Sequence, residues 1–80
     1  MPTIHYERGY AFRFYSNESN EPAHIHLIGK SGEMKIWLIS LQVARVRSIS
    51  DHEQTKLLGI VEKNQKKFLQ EWDNFRQKRK

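Results

Sequence analysis

Apolar and polar side chains alternate through the first half of this chain, then recur at spacings of three and four through the second. Tyr10–Ser16 (YAFRFYS) alternates around aromatic residues, which predicts a strand. Asn17–Pro22 (NESNEP) is rich in turn formers and predicts a loop. A second strand follows over Ala23–Ile28 (AHIHLI), a tight hairpin connection over Gly29-Lys30-Ser31-Gly32, and a third strand over Glu33–Ile39 (EMKIWLI). Ile4–Glu7, ahead of Arg8-Gly9, and Leu41–Arg47 read as two further strands on the outside.

The period then changes. Ser50-Asp51-His52-Glu53 has the form of a capping box, in which Ser50 accepts from the backbone N–H of Glu53 while the Glu53 side chain reaches back. Leu57, Leu58, Val61, Phe68, Leu69, Trp72 and Phe75 mark one apolar stripe beyond it. A single straight helix over 51–78 would be about 42 Å long, whereas a seven-residue strand spans about 23 Å. Such a helix must overhang the sheet or break, near Gly59 or Asn64. An overhanging end would present Trp72 and Phe75 as a docking surface for a partner. The fold class is therefore α+β: one domain over 1–80, with a small antiparallel sheet of three to five strands in 1–48 covered on one face by a long C-terminal helix over 50–78.

Two loops fix which residues share a face. With Lys30 and Ser31 as the turn, Leu27 faces Met34, Ile25 faces Ile36, His26 faces Lys35 and His24 faces Trp37. Across the 17–22 loop, Phe14 faces Ile25, Phe12 faces Leu27, Tyr15 faces His24 and Arg13 faces His26. Both loops sort the side chains alike. One face holds Phe12, Phe14, Ile25, Leu27, Met34, Ile36 and Leu38 and belongs under the helix. The other gathers Arg13, Tyr15, His24, His26, Lys35 and Trp37.

Charge sharpens this picture. The formal net charge is +5, with 14 Lys+Arg against 9 Asp+Glu. Residues 1–62 are balanced, seven basic against seven acidic, so the whole excess lies in 63–80. Lys63, Lys66, Lys67, Arg76, Lys78 and Arg79 carry it together with Lys80, and a basic segment of this kind favours a polyanion or an acidic partner. The absence of cysteine excludes disulfides, thiolate zinc sites and a thiol nucleophile. No apolar run approaches the roughly 20 residues of a membrane span, and no signal-peptide core opens the chain, which reads as cytoplasmic. One core in 80 residues supplies only about 3–5 kcal/mol of net stability, so reliance on a partner or a homo-oligomer is open.

The polar face is the functional clue. Imidazoles give or take protons near neutral pH, Arg and Lys stabilise phosphate charge, and Tyr and Trp stack on bases. An ordinary solvated face would be served equally well by Thr, Lys and Glu. The face has the equipment to bind single-stranded RNA, or to cut it without metal by 2′-hydroxyl attack. In that reading His24 and His26 are acid and base, Arg13 and Lys35 clamp phosphate, Tyr15 completes the catalytic group, and Trp37 and the C-terminal cations hold the strand. No cofactor motif is present. A metal on His24 and His26 would need further ligands from Glu33, Glu7 or His5, and Arg13 and Lys35 beside the pair would repel a cation. His5 and His52 stand alone.

The run N-E-S-N-E-P-A-H-I-H over Asn17–His26, preceded by Phe12-Arg13-Phe14-Tyr15-Ser16 and followed by G-E-M-K-I-W-L, resembles a family of small bacterial and phage proteins catalogued as a domain of unknown function, family 4160. The opening Met1-Pro2-Thr3-Ile4 and the E-x-W around Glu71 and Trp72 fit it as well, so the resemblance covers nearly the whole chain. A second proline is common in the family where this chain has Ala23. The resemblance implies a toxin of a type II toxin–antitoxin module with a cognate antitoxin as partner, because members often neighbour a second small gene. It assigns no catalytic set. The alternative from another class is a non-enzymatic nucleic-acid- or protein-binding module of a regulatory pair.

Overall fold

The computed structural model describes residues 3–15 and 20–78, with the side chain of Lys78 outside that set. Five strands, β1 (Thr3–Glu7), β2 (Tyr10–Arg13), β3 (His24–Ile28), β4 (Glu33–Trp37) and β5 (Val43–Arg47), precede two helices, α1 (Asp51–Lys63) and α2 (Gln65–Lys78). The strands form one antiparallel sheet in chain order, so β1 and β5 are its edges.

The registers expected from the two loops are those observed as far as β2 extends, with Phe14 and Tyr15 lying past its last pair. His24 pairs Trp37, Ile25 pairs Ile36, His26 pairs Lys35 and Leu27 pairs Met34. Phe12 pairs Leu27 and Arg13 pairs His26. The β1–β2 turn is the two-residue type with both positions left-handed, Arg8 at φ 55° and Gly9 at φ 83°, the geometry that suits strand twist. Strand β2 stops at Arg13, short of the expected Ser16; Ser16 and the 17–19 part of the predicted loop lie outside the described residues. Leu41, expected in the last strand, is left-handed instead (φ 62°) and closes the β4–β5 turn, its N–H donating to Trp37 O at 2.9 Å.

The inner face is the one predicted. Phe12, Phe14, Ile25, Leu27, Met34, Ile36 and Leu38 are buried, and Leu57, Ile60 and Val61 of α1 with Phe68 and Trp72 of α2 complete the core. Ser50 caps α1 by accepting from Glu53 N–H at 3.2 Å. The reciprocal half of the capping box is replaced, because both Glu53 carboxylate oxygens accept from Arg8, at 2.8 and 2.9 Å.

The helix breaks at Asn64, one of the two positions expected. Asn64 leaves helical geometry (φ −107°, ψ 15°) and turns its side-chain Nδ2 back onto Ile60 O at 2.8 Å. Gln65 then donates to Leu38 O at 2.6 Å, tying the start of α2 to the β4–β5 turn. This redirection overturns the overhanging end. Trp72 is 3 % exposed, packed edge-on to Phe14 at 5.2 Å, and Phe75 is half-buried against the same ring at 5.4 Å. As side chains of the core and its margin, they are not presented as an exposed docking surface. Among the described residues no helix is long and apolar enough to cross a membrane.

Candidate nucleic-acid interface

Alternation along β2, β3, β4 and β5 brings Arg13, His26, Lys35 and Arg45 into one cross-strand row on the outer face, each paired with the next. At about 4.8 Å per strand the row is roughly 14 Å long. Arg45 enters it because β5 carries a bulge opposite Lys35 and Ile36, which restores the outward phase after Val43 has paired with Ile36. Arg45 is exposed and makes no ion pair among the described residues, whereas Arg47 lies 3.2 Å from Glu33.

Beside this row the rings are packed rather than solvated. Tyr15 stacks on His26 with centroids 4.3 Å apart, although the register places it opposite His24. Trp37 meets His24 edge-on at 5.6 Å, and Lys35 Nζ sits 4.7 Å above the Trp37 ring in a cation–π contact. Trp72 reaches His24 at 5.1 Å while also touching Phe14, residues that alternation assigns to opposite faces. Helix α2 thus closes the end of the sheet beyond the last pairing of β2. His24, against Trp72, is fully buried and His26, under the Tyr15 ring, is 4 % exposed, unlike the open histidine pair the sequence suggested.

His24 has a defined orientation. Its Nδ1 donates to Pro22 O at 2.8 Å, and since a carbonyl only accepts, Nδ1 carries the hydrogen. A buried ring held this way supports the chain between the 20–23 turn and β3. His26 lies in the row between Arg13 and Lys35, under the ring of Tyr15.

Sequence reasoning missed one carboxylate. Glu21 accepts from Lys35 Nζ at 2.7 Å and lies 3.8 Å from His24 Nδ1. Its only signal was its place three residues before His24, since the partner is fourteen residues away. The candidate metal ligands are dispersed. His5 donates toward Glu7 at 2.8 Å and packs its ring on Phe12 and Phe68 at the inner face, and Glu33 holds Arg47. Among the described residues no three His, Asp or Glu side chains are placed to hold one ion. His52 is exposed in the first turn of α1.

The C-terminal cations do not join the row. Lys63, Lys66, Lys67 and Arg76 are exposed on the helical layer, which covers the opposite face of the sheet. The Lys78 side chain and Arg79 lie outside the described residues. Residues 9–73 match the model of a family described as Domain of unknown function (DUF4160). No curated protein and no solved structure matches the chain.

Proposed function

The chain belongs to the DUF4160 family, and from that premise we propose that it is the toxin-side protein of a two-protein module and acts by binding single-stranded RNA across the outer face of its sheet. The observation that carries the reading is the row Arg13–His26–Lys35–Arg45, flanked by the rings of Tyr15 and Trp37. Cations at strand spacing follow a phosphodiester backbone, and half-buried aromatic rings at the margin offer faces on which bases stack. A cognate antitoxin would oppose it by covering that face.

Binding takes precedence over cleavage because both imidazoles are buried and His24 spends Nδ1–H on Pro22 O. A second reading, metal-free endoribonuclease, is favoured by the place of His26 between two cations, where an imidazole could move the 2′-hydroxyl proton while Arg13 and Lys35 hold the phosphate.

The experiment is fluorescence anisotropy with a labelled single-stranded RNA at several salt concentrations. Three phosphate contacts on a single strand give a slope of log K on log salt near −2, so raising salt from about 50 to 200 mM weakens binding roughly twentyfold. Lys35→Ala should make the slope shallower by about 0.7. Salt-independent binding, or none, would refute the reading. Incubating the same RNA with wild type and His26→Ala, each with and without a chelator, separates binding from cleavage.

A further inference from the structure

The edge strand β5 lies outside this reading except for Arg45. Its five residues are all exposed, and Val43 and Val46, which pair with the core residues Ile36 and Met34, are each 38 % exposed. Ile39 in the preceding turn is a further exposed apolar side chain, at 73 %. Between β5 and α1 runs a groove of about 250 Å³ lined by Val43, Leu58, Asp51, Gln54 and Thr55. The outward positions of the same strand are Arg45 and Arg47. An edge of this kind exposes backbone donors and acceptors, apolar side chains toward the groove and cations toward the other face.

A second observation lies on α1, next in the chain to Leu58 of the groove. Gly59 is exposed in the middle of α1, one turn beyond Thr55, and a Cβ built there meets nothing within 4 Å. Neither packing nor a left-handed backbone requires glycine here, and in a helix interior it costs roughly 0.5–1 kcal/mol relative to alanine. Close approach of another backbone gives its missing side chain a use.

We propose that the β5 edge and the β5–α1 groove receive an extended segment of a partner polypeptide in which apolar and acidic residues alternate, added as a sixth strand. The apolar residues would enter the groove beside Val43 and Leu58, and the acidic ones would face Arg45 and Arg47. Charge selects this occupant over a second copy of the chain. Antiparallel pairing of β5 with itself in phase brings Arg45 opposite Arg45 or Arg47 of the other copy, and like charges directly opposite are destabilising. Strand addition draws affinity from main-chain hydrogen bonds and specificity from alternate side chains.

The test is selection of random twelve-residue peptides on the full chain, followed by amide chemical-shift mapping and affinity measurement with the selected peptides. The expected peptides alternate apolar with acidic residues and shift amides in 43–47 and 54–59. Gly59→Leu, which helix propensity favours and which therefore keeps the fold, should weaken them roughly tenfold by filling the approach. Val46→Lys should do the same, with Lys35→Ala leaving peptide affinity unchanged, so loss of the RNA site is distinguished from loss of this one. Basic or pattern-free peptides, shifts elsewhere, affinity indifferent to Gly59→Leu, or no enrichment would each overturn the proposal.

Discussion

Arg8 and Glu53, 45 residues apart in the chain, share two hydrogen bonds that fasten the β1–β2 turn to the first turn of α1. The Arg8 hydrogen bond holds the Glu53 carboxyl below its ordinary 4.5, and Glu53 in turn raises the Arg8 guanidinium. A carboxyl lowered in the folded state favours folding when it is ionised. The contribution is therefore complete above the ordinary carboxylate range and is lost as pH falls through the lowered folded value. Thermal melts of wild type and Glu53→Gln should differ at pH 7, converge in acid, and converge partly in high salt.

The same turn holds a conflict that mutation exposes. Arg8 sits at φ 55°, where a non-glycine residue is strained by roughly 1–2 kcal/mol and asparagine is better accommodated. In a Glu53→Gln background, where the bidentate carboxylate is gone, Arg8→Asn should raise the melting temperature. In the wild-type background its gain is opposed by loss of the pair. Calorimetry of the four chains closes the cycle.

For His24, support of the 20–23 turn predicts a particular order of variants. His24→Asn can place an amide N–H near the position of Nδ1 and should keep most of the stability, whereas His24→Ala leaves a cavity and an orphaned Pro22 carbonyl at a cost of about 2–4 kcal/mol. Urea denaturation measures the order. Equal stability of the two variants would contradict the supporting role.

Glu21 competes with any anion for Lys35. Glu21→Gln removes that competitor and should tighten single-stranded RNA binding roughly two- to fivefold, the weight of a partly exposed ion pair. Weaker binding on that change would mean that Glu21 positions Lys35 for the ligand.

Trp72→Ala should cost about 3–5 kcal/mol, comparable with the whole stability available to a core of this size. The variant should be largely unfolded by circular dichroism, with Trp72→Phe folded. Failure of Trp72→Ala to bind any partner would then report the loss of the fold.

The pairing of the three inner strands was legible in the sequence because two separate loops imposed the same alternation, and Phe12, Ile25, Leu27, Met34 and Ile36 all fell on the face it assigned them. The closure of the histidines was not. For His24 it depends on Trp72 arriving at the start of β3, which follows from the turn at Asn64 and the hold of Gln65 on Leu38, and periodicity carries no direction for a helix after a break. Glu21 was hidden for a related reason, since a loop residue finds its partner only once the neighbouring strand is placed. Arg45 was lost to the bulge, which inserts a residue into β5 and shifts its phase.

A sheet whose spatial order repeats its chain order can be assembled by short loop closures alone, each strand finding the one just made. Arg8 with Glu53 and Gln65 with Leu38 span 45 and 27 residues and stand apart from that sequence of local steps. They fasten the helical layer to the sheet, and we expect them to form late, after the local strand pairings. Glu53→Gln and Gln65→Ala, which remove these side-chain bonds, should accelerate unfolding and leave the folding rate nearly untouched.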